Sequence, residues 1–183
     1  MKSVAALFAV GVLALVVQGA LARTIPPPFC PDLAWLVVVG IGLRWPHFVS
    51  GVVLAVVLGY GMDLLSGSLM GQHALLRLVS FLAAALAARQ LDLSGGVPVG
   101  IFVLVMTVVY GVAMVTSLSF FVDANRPGFD VVGASLAHAV VNVLAAGPMI
   151  GIVERVQARL SDEEVGRRGA MPLGFESGRG GLL

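Results

Sequence analysis

The chain has 183 residues, of which 58% are hydrophobic and only 11% charged, and its formal net charge is +1. Soluble domains carry about 25% charged residues because a water-facing surface needs them; with a mean hydropathy of +1.01, this chain reads as an integral membrane protein. That excludes a conventional soluble enzyme and, with so little net charge, a nucleic-acid binder. The single Cys30 excludes an internal disulfide.

A bilayer core about 30 Å thick needs roughly 20 apolar residues of helix at about 1.5 Å each. Six stretches are expected to serve. Val4–Ala22 is the first, followed by an extended loop, Arg23–Asp32, whose run Pro26-Pro27-Pro28 forbids helix. Leu33–Leu43 is the second and is short for a crossing. Arg44, Trp45, Pro46 and His47 then end it, a composition suited to the headgroup zone. Phe48–Leu65 is the third, with Asp63 near its end. Gly71–Ala88 is the fourth and contains Arg77. Val97–Val122 is long enough to tilt. Val131–Val153 is the sixth, carrying His138 and Asn142, and Ser161–Leu183 is expected to form a flexible, Gly-rich charged tail. Short connections favour one all-α bundle of antiparallel neighbours. The start has a second reading, a secretory signal peptide ending at Ala20-Leu21-Ala22. Its apolar run exceeds the usual 7–15 residues, roughly, of such a segment, so the first span is expected to be retained.

Orientation follows from the basic residues. With six spans, Lys2, Arg44, Arg89, Arg155, Arg159, Arg167, Arg168 and Arg179 share one side, while the other holds Arg23 and Arg126. Both termini are therefore expected in the cytoplasm.

Lipid cannot solvate charge, so an ionisable group within a span is a functional candidate by default. A hairpin turning at Ser66-Gly67-Ser68 would bring Asp63 and Arg77 to similar depth, where they could pair. His73 precedes Arg77 by four residues and shares its helix face, and His138 and Asn142 repeat that spacing on the sixth span. The five together suggest one polar cluster in the outer half of the bundle. It could be a structural latch, a pocket for a small molecule or headgroup, or a partner contact. Two histidines without matched cysteines or carboxylates are a poor zinc set, so no metal or cofactor is expected. Ser66-Gly67 with His138 superficially suggests a rhomboid-type protease, but Leu64 stands where that motif needs Gly and the His-x-x-x-Asn pair follows the serine. The paired glutamates of CAAX-type proteases have a counterpart only in the tail, at Glu163-Glu164. No catalysis is expected. Gly51, Gly59, Gly67 and Gly71, with Gly61, are read as close helix-packing positions, and the Gly51/Gly59 groove as a seat for a partner helix.

The run from Leu58 to Leu76 resembles the signature hairpin of the rod shape-determining MreD family, G-x-x-x-D-x-x-x-G-x-x-x-G-x-x-A-L, carried here by Gly59, Asp63, Gly67, Gly71, Ala74 and Leu75. Gln18, Pro31-Asp32, Gly42-Leu43-Arg44 and the ending Asn142, Leu144, Pro148, Arg155 agree in order and spacing. The likeness covers about residues 4–160; the glycine-rich third span (Gly59, Gly61) and Arg77 depart from it. It implies a non-catalytic inner-membrane scaffold of cell-wall elongation and rod shape. The partners it implies are an MreC-like single-span protein and, more widely, the MreB filament, the RodA glycosyltransferase and a class B transpeptidase. The family's fold is similar to the S-component of energy-coupling-factor transporters. The rival expectation is therefore a vitamin-capture subunit, with its ligand near Asp63, His73, Arg77 and His138.

Overall fold

The computed structural model describes residues 2–44, 46–67, 69–93, 95–121 and 129–169. Trp45, Ser68, Arg126 and the tail from residue 170 onward lie outside the described residues. The described elements are helices: α1 (Lys2–Leu21), α2 (Leu33–Arg44), α3 (Phe48–Ser66), α4 (Gln72–Gln90), α5 (Gly96–Phe121) and α6 (Phe129–Gly169). Among the described residues, four segments are long and apolar enough to cross a membrane: α1, α3, α5 and the Val132–Leu160 part of α6. The other two predicted spans differ for separate reasons. α4 has the length but carries Gln72, His73, Arg77, Arg89 and Gln90, and α2 has only 12 residues, about 18 Å of helix. α6 also runs on to Gly169, past residue 161, where the sequence predicts the start of a flexible tail.

α2 is the centre of the bundle. Every residue from Ala34 to Leu43 is buried, and the helix packs against α1, α3, α4 and α6. A helix apolar all round has no face to give to water and is stable only when enclosed. Ala34, Val37, Val38 and Ile41 recur at helical spacing and join Leu7, Leu15, Leu54 and Leu58 from α1 and α3. Trp35, Leu36, Val39 and Leu43 form the opposite stripe, against Val99 and Val103 of α5 and Ala146 and Ile150 of α6. α5 lies outermost, packed on α6 and, less, on α4.

Two polar links fix the register of α2 on α6. The Asp32 N–H donates to Asn142 Oδ1 at 2.9 Å, and Arg44 Nε pairs with Glu154 Oε1 at 2.8 Å. The partners are twelve residues apart in both segments, so the helices run parallel and in step. Asn142 lies ten residues into the apolar stretch that opens at Val132, or about 15 Å. α2 thus starts well inside the bundle, and the Pro-rich strap of residues 22–32 reaches in to meet it. Backbone of that kind is tolerated at membrane depth only where protein groups satisfy it.

The glycines divide into two kinds. A Cβ on Gly51 would fall 2.4 Å from the Phe81 ring, and one on Gly59 would fall 2.4 Å from Ala74 Cα and 2.7 Å from the His73 carbonyl oxygen. Both are close-approach sites, but the groove they make is filled by the chain's own α4 and not by a partner helix. At Gly67 and Gly71 an added Cβ would meet nothing within 4 Å, so these are not packing residues; their φ values of +63° and +89° lie in the left-handed region that favours glycine.

Candidate functional site

The polar residues gather at the end of the bundle where α1, α3 and α5 finish and α2, α4 and α6 begin. The first focus is the N-terminus of α4. Its N-cap, Gly71, has no side chain to offer the exposed amides, so the cap comes from the preceding helix. Asp63 Oδ2 accepts from the Gly71 N–H at 3.0 Å and the Ala74 N–H at 3.2 Å, and Oδ1 accepts from the His73 N–H at 2.8 Å. A buried carboxylate is stabilised there by these charge-assisted bonds and by the positive end of the α4 dipole. The hairpin pattern now has a physical content. Gly59 lets α3 touch α4 at Ala74, Asp63 caps α4, and Gly67 and Gly71 turn the chain between them.

The second focus is Asp32, immediately before α2. Its Oδ1 accepts from the Trp35 N–H at 2.9 Å, an N-cap for the first turn of α2, and from Arg77 Nη2, also at 2.9 Å. The sequence predicts that Asp63 partners Arg77; the ion pair in the structure is Arg77–Asp32. The reason is local: the backbone amides at the start of α4 engage both oxygens of Asp63, while Arg77, a turn further along α4, points across to the top of α2. Arg77 is fully buried, and its Nη1 donates to the Leu58 carbonyl at 3.0 Å. Its Nε has no hydrogen-bond partner among the described residues. Gln18 of α1 adds a second cap to α2 by accepting from the Ala34 N–H at 3.3 Å.

The third focus joins α6 to the strap. Asn142 Oδ1 holds the Asp32 N–H; its Nδ2 lies 3.2 Å from His138 Nε2 and 3.4 Å from Thr107 Oγ1. His138 Nδ1 lies 3.2 Å from the Pro28 carbonyl oxygen. A carbonyl only accepts, so Nδ1 carries the ring proton, and Nε2 is free to accept from Asn142.

His73, Arg77, Asp63, His138 and Asn142 therefore do gather, but Asp32 is the residue that ties Arg77 to Asn142. The side chain of His73 turns to α5, its Nδ1 2.6 Å from the Tyr110 hydroxyl, with the two rings stacked at 6.2 Å. Tyr110 lies within electrostatic reach of Asp32, Asp63 and Arg77 and packs edge-on against Trp35, whose Nε1–H donates to Ser80 Oγ at 3.0 Å. In the strap, Cys30 is partly enclosed; burial first, and the charge of Asp32 second, push its thiol pKa above the ordinary value.

Asp32, Gln18, Thr107 and Tyr110 fall outside the predicted cluster. Asp32 had a signal: an aspartate directly before an apolar run is an N-cap pattern. Tyr110 and Thr107 had none, since nothing local in α5 marks which face turns inward. Beside the cluster, an open apolar groove of about 1060 Å³ runs between the first turns of α4 and the C-terminal half of α5, lined by Leu75, Leu76, Val109, Val112 and Phe120. Gln72 stands at its edge, bonded to the Met114 carbonyl and to Ser117 Oγ.

Comparison of the chain with family models, with curated proteins and with solved structures finds no match.

Proposed function

We propose that this protein is a non-catalytic scaffold of the bacterial cell-wall elongation machinery. In this reading it sits in the inner membrane with both termini in the cytoplasm and supports rod shape by binding membrane-spanning partners, first among them an MreC-like single-span protein. Part of the support is the likeness of residues 58–76 to the MreD hairpin, in which Gly59, Asp63, Gly67, Gly71 and Ala74 each carry a backbone task. The observation that carries the reading is where the polar groups go. Asp32, Asp63, Arg77, His138 and Asn142 bond to one another and to helix ends and strap backbone. A vitamin-capture subunit would hold its ligand near Asp63, His73, Arg77 and His138, and here the hydrogen bonds of all four are directed to the protein itself. A bundle locked in this way supports a rigid body whose lipid-facing helix surfaces do the binding.

The test is co-expression with the MreC-like protein encoded by the same organism, followed by affinity capture in mild detergent. A stable complex is expected, and loss of rod shape on depletion of this chain. Failure of the native pair to associate, together with stoichiometric co-purification of a small-molecule ligand, overturns the scaffold reading in favour of the capture subunit.

A further inference from the structure

We infer that His138 is a one-proton latch on the Pro-rich strap, holding residues 28–31 against the bundle only while its imidazole is neutral. The inference rests on donor and acceptor bookkeeping along one chain of bonds. At one end the Asp32 N–H can only donate, so Asn142 must turn Oδ1 toward it. That leaves Asn142 Nδ2, which can only donate, facing His138 Nε2 at 3.2 Å. At the other end the Pro28 carbonyl can only accept, so His138 Nδ1 must carry a proton. The chain therefore has one consistent assignment, with Nε2 unprotonated.

A proton added at Nε2 places N–H against N–H. Rotating the Asn142 amide cures that contact but turns its NH₂ toward the Asp32 N–H, a new donor–donor clash at the other end. Turning the imidazole away gives up the Pro28 carbonyl. Each route breaks one of the links that hold the strap, because both termini of the chain are backbone groups of fixed polarity. His138 is only part-buried, so a proton has a path to its ring.

The groups around the latch do not offer an alternative sink for the clash. The strap brings Cys30 and Asp32, and Asp32 is already committed to Arg77 of α4 and to the α2 cap. Of the neighbouring helices, α1 contributes Gln18, which accepts from the Ala34 N–H, and α2 contributes Trp35, which donates to Ser80; neither is titratable. α5 presents Thr107 and Tyr110, the latter bonded to His73 of α4. Asp63 of α3 is held by the α4 amides. Protonation thus acts on the strap, while the Asp32–Arg77 pair and the α3–α4 hairpin stay in place.

The experiment is hydrogen exchange of the full chain in detergent at about pH 8 and pH 5, with rates corrected for the pH dependence of the unfolded chain. Losing one hydrogen bond, worth about 1–1.5 kcal/mol, corresponds to roughly tenfold faster exchange. That increase is expected in the strap around Phe29–Leu33 at the lower pH, with no change in α3. In His138→Gln the strap should exchange equally at both pH values, and in Asn142→Leu it should be open at both. A wild-type strap whose corrected exchange is the same at both pH values overturns the inference, and so does a pH response that survives in His138→Gln. The wild-type comparison stands even where a variant fails to fold.

Discussion

Replacing Asp32 with alanine is the sharpest test of how this bundle is held. The substitution removes the N-cap of α2, worth about 1 kcal/mol, and strips a fully buried guanidinium of its ion-pair partner. Breaking a buried pair from one side costs about 3–5 kcal/mol because the remaining charge stays uncompensated, so the variant should lose about 5 kcal/mol in all. On the scale of 2–4 °C per kcal/mol, roughly, for a chain of this size, thermal unfolding in detergent should fall by about 10–20 °C. Arg77→Met removes the stranded charge and should restore most of the pair's share, giving a coupling of about 3 kcal/mol, well above the 0.6 or so typical of a hydrogen bond between membrane helices. Asp63→Ala should also destabilise, by about 3 kcal/mol, through three uncapped amides and the lost dipole interaction. It should couple to Arg77→Met by less than about 1 kcal/mol. If Arg77→Met rescues Asp63→Ala and leaves Asp32→Ala unimproved, the assignment of the pair is wrong.

Three further outcomes follow from geometry. Gly59→Ala puts a methyl group 2.4 Å from the Ala74 backbone and should cost about 3 kcal/mol or more; Gly61→Ala, 3.4 Å from the end of Leu15, should stay within about 1 kcal/mol, and paired melting curves check both. Glu154→Gln should shift the melting temperature by no more than a few degrees, because a pair as exposed as Arg44–Glu154, 28% and 47%, is worth about 0–1 kcal/mol. Cys30 should alkylate more slowly than an unfolded cysteine at any given pH near neutrality, since its raised pKa leaves less thiolate; a pH–rate profile with its midpoint at or below that of the unfolded chain refutes this.

How much of the molecule is legible in its sequence depends on sequence distance. The α3–α4 hairpin is legible because its parts are local: Gly59 and Ala74 lie fifteen residues apart, and Gly67 and Gly71 sit where a tight turn needs positive φ. The partner of Arg77 is not. Asp32 is 45 residues away on another helix, whereas Asp63 is the near carboxylate, and proximity along the chain wrongly stands in for proximity in space. The central place of α2 has a trace, since LAWLVVVGIGLR shows no polar face until its final residue. Brevity hides its meaning by making the segment look like a poor crossing. The extra length of α6 also has a trace, in the four-residue spacings Glu163/Arg167 and Glu164/Arg168 that favour helix.

The enclosure of α2 has a consequence for how the protein is made. A segment only 12 residues long cannot bridge a hydrocarbon layer about 30 Å deep, so insertion machinery reading spans one at a time has no stable resting place for it. Its permanent neighbours on two sides, α4 and α6, are synthesised later. Until they arrive, the future keystone waits half-lodged beside α1 and α3, and a ribosome stalled before Glu154 leaves its far end unclamped. Biogenesis of this bundle is therefore cooperative and late, completed when the last helix closes on the second.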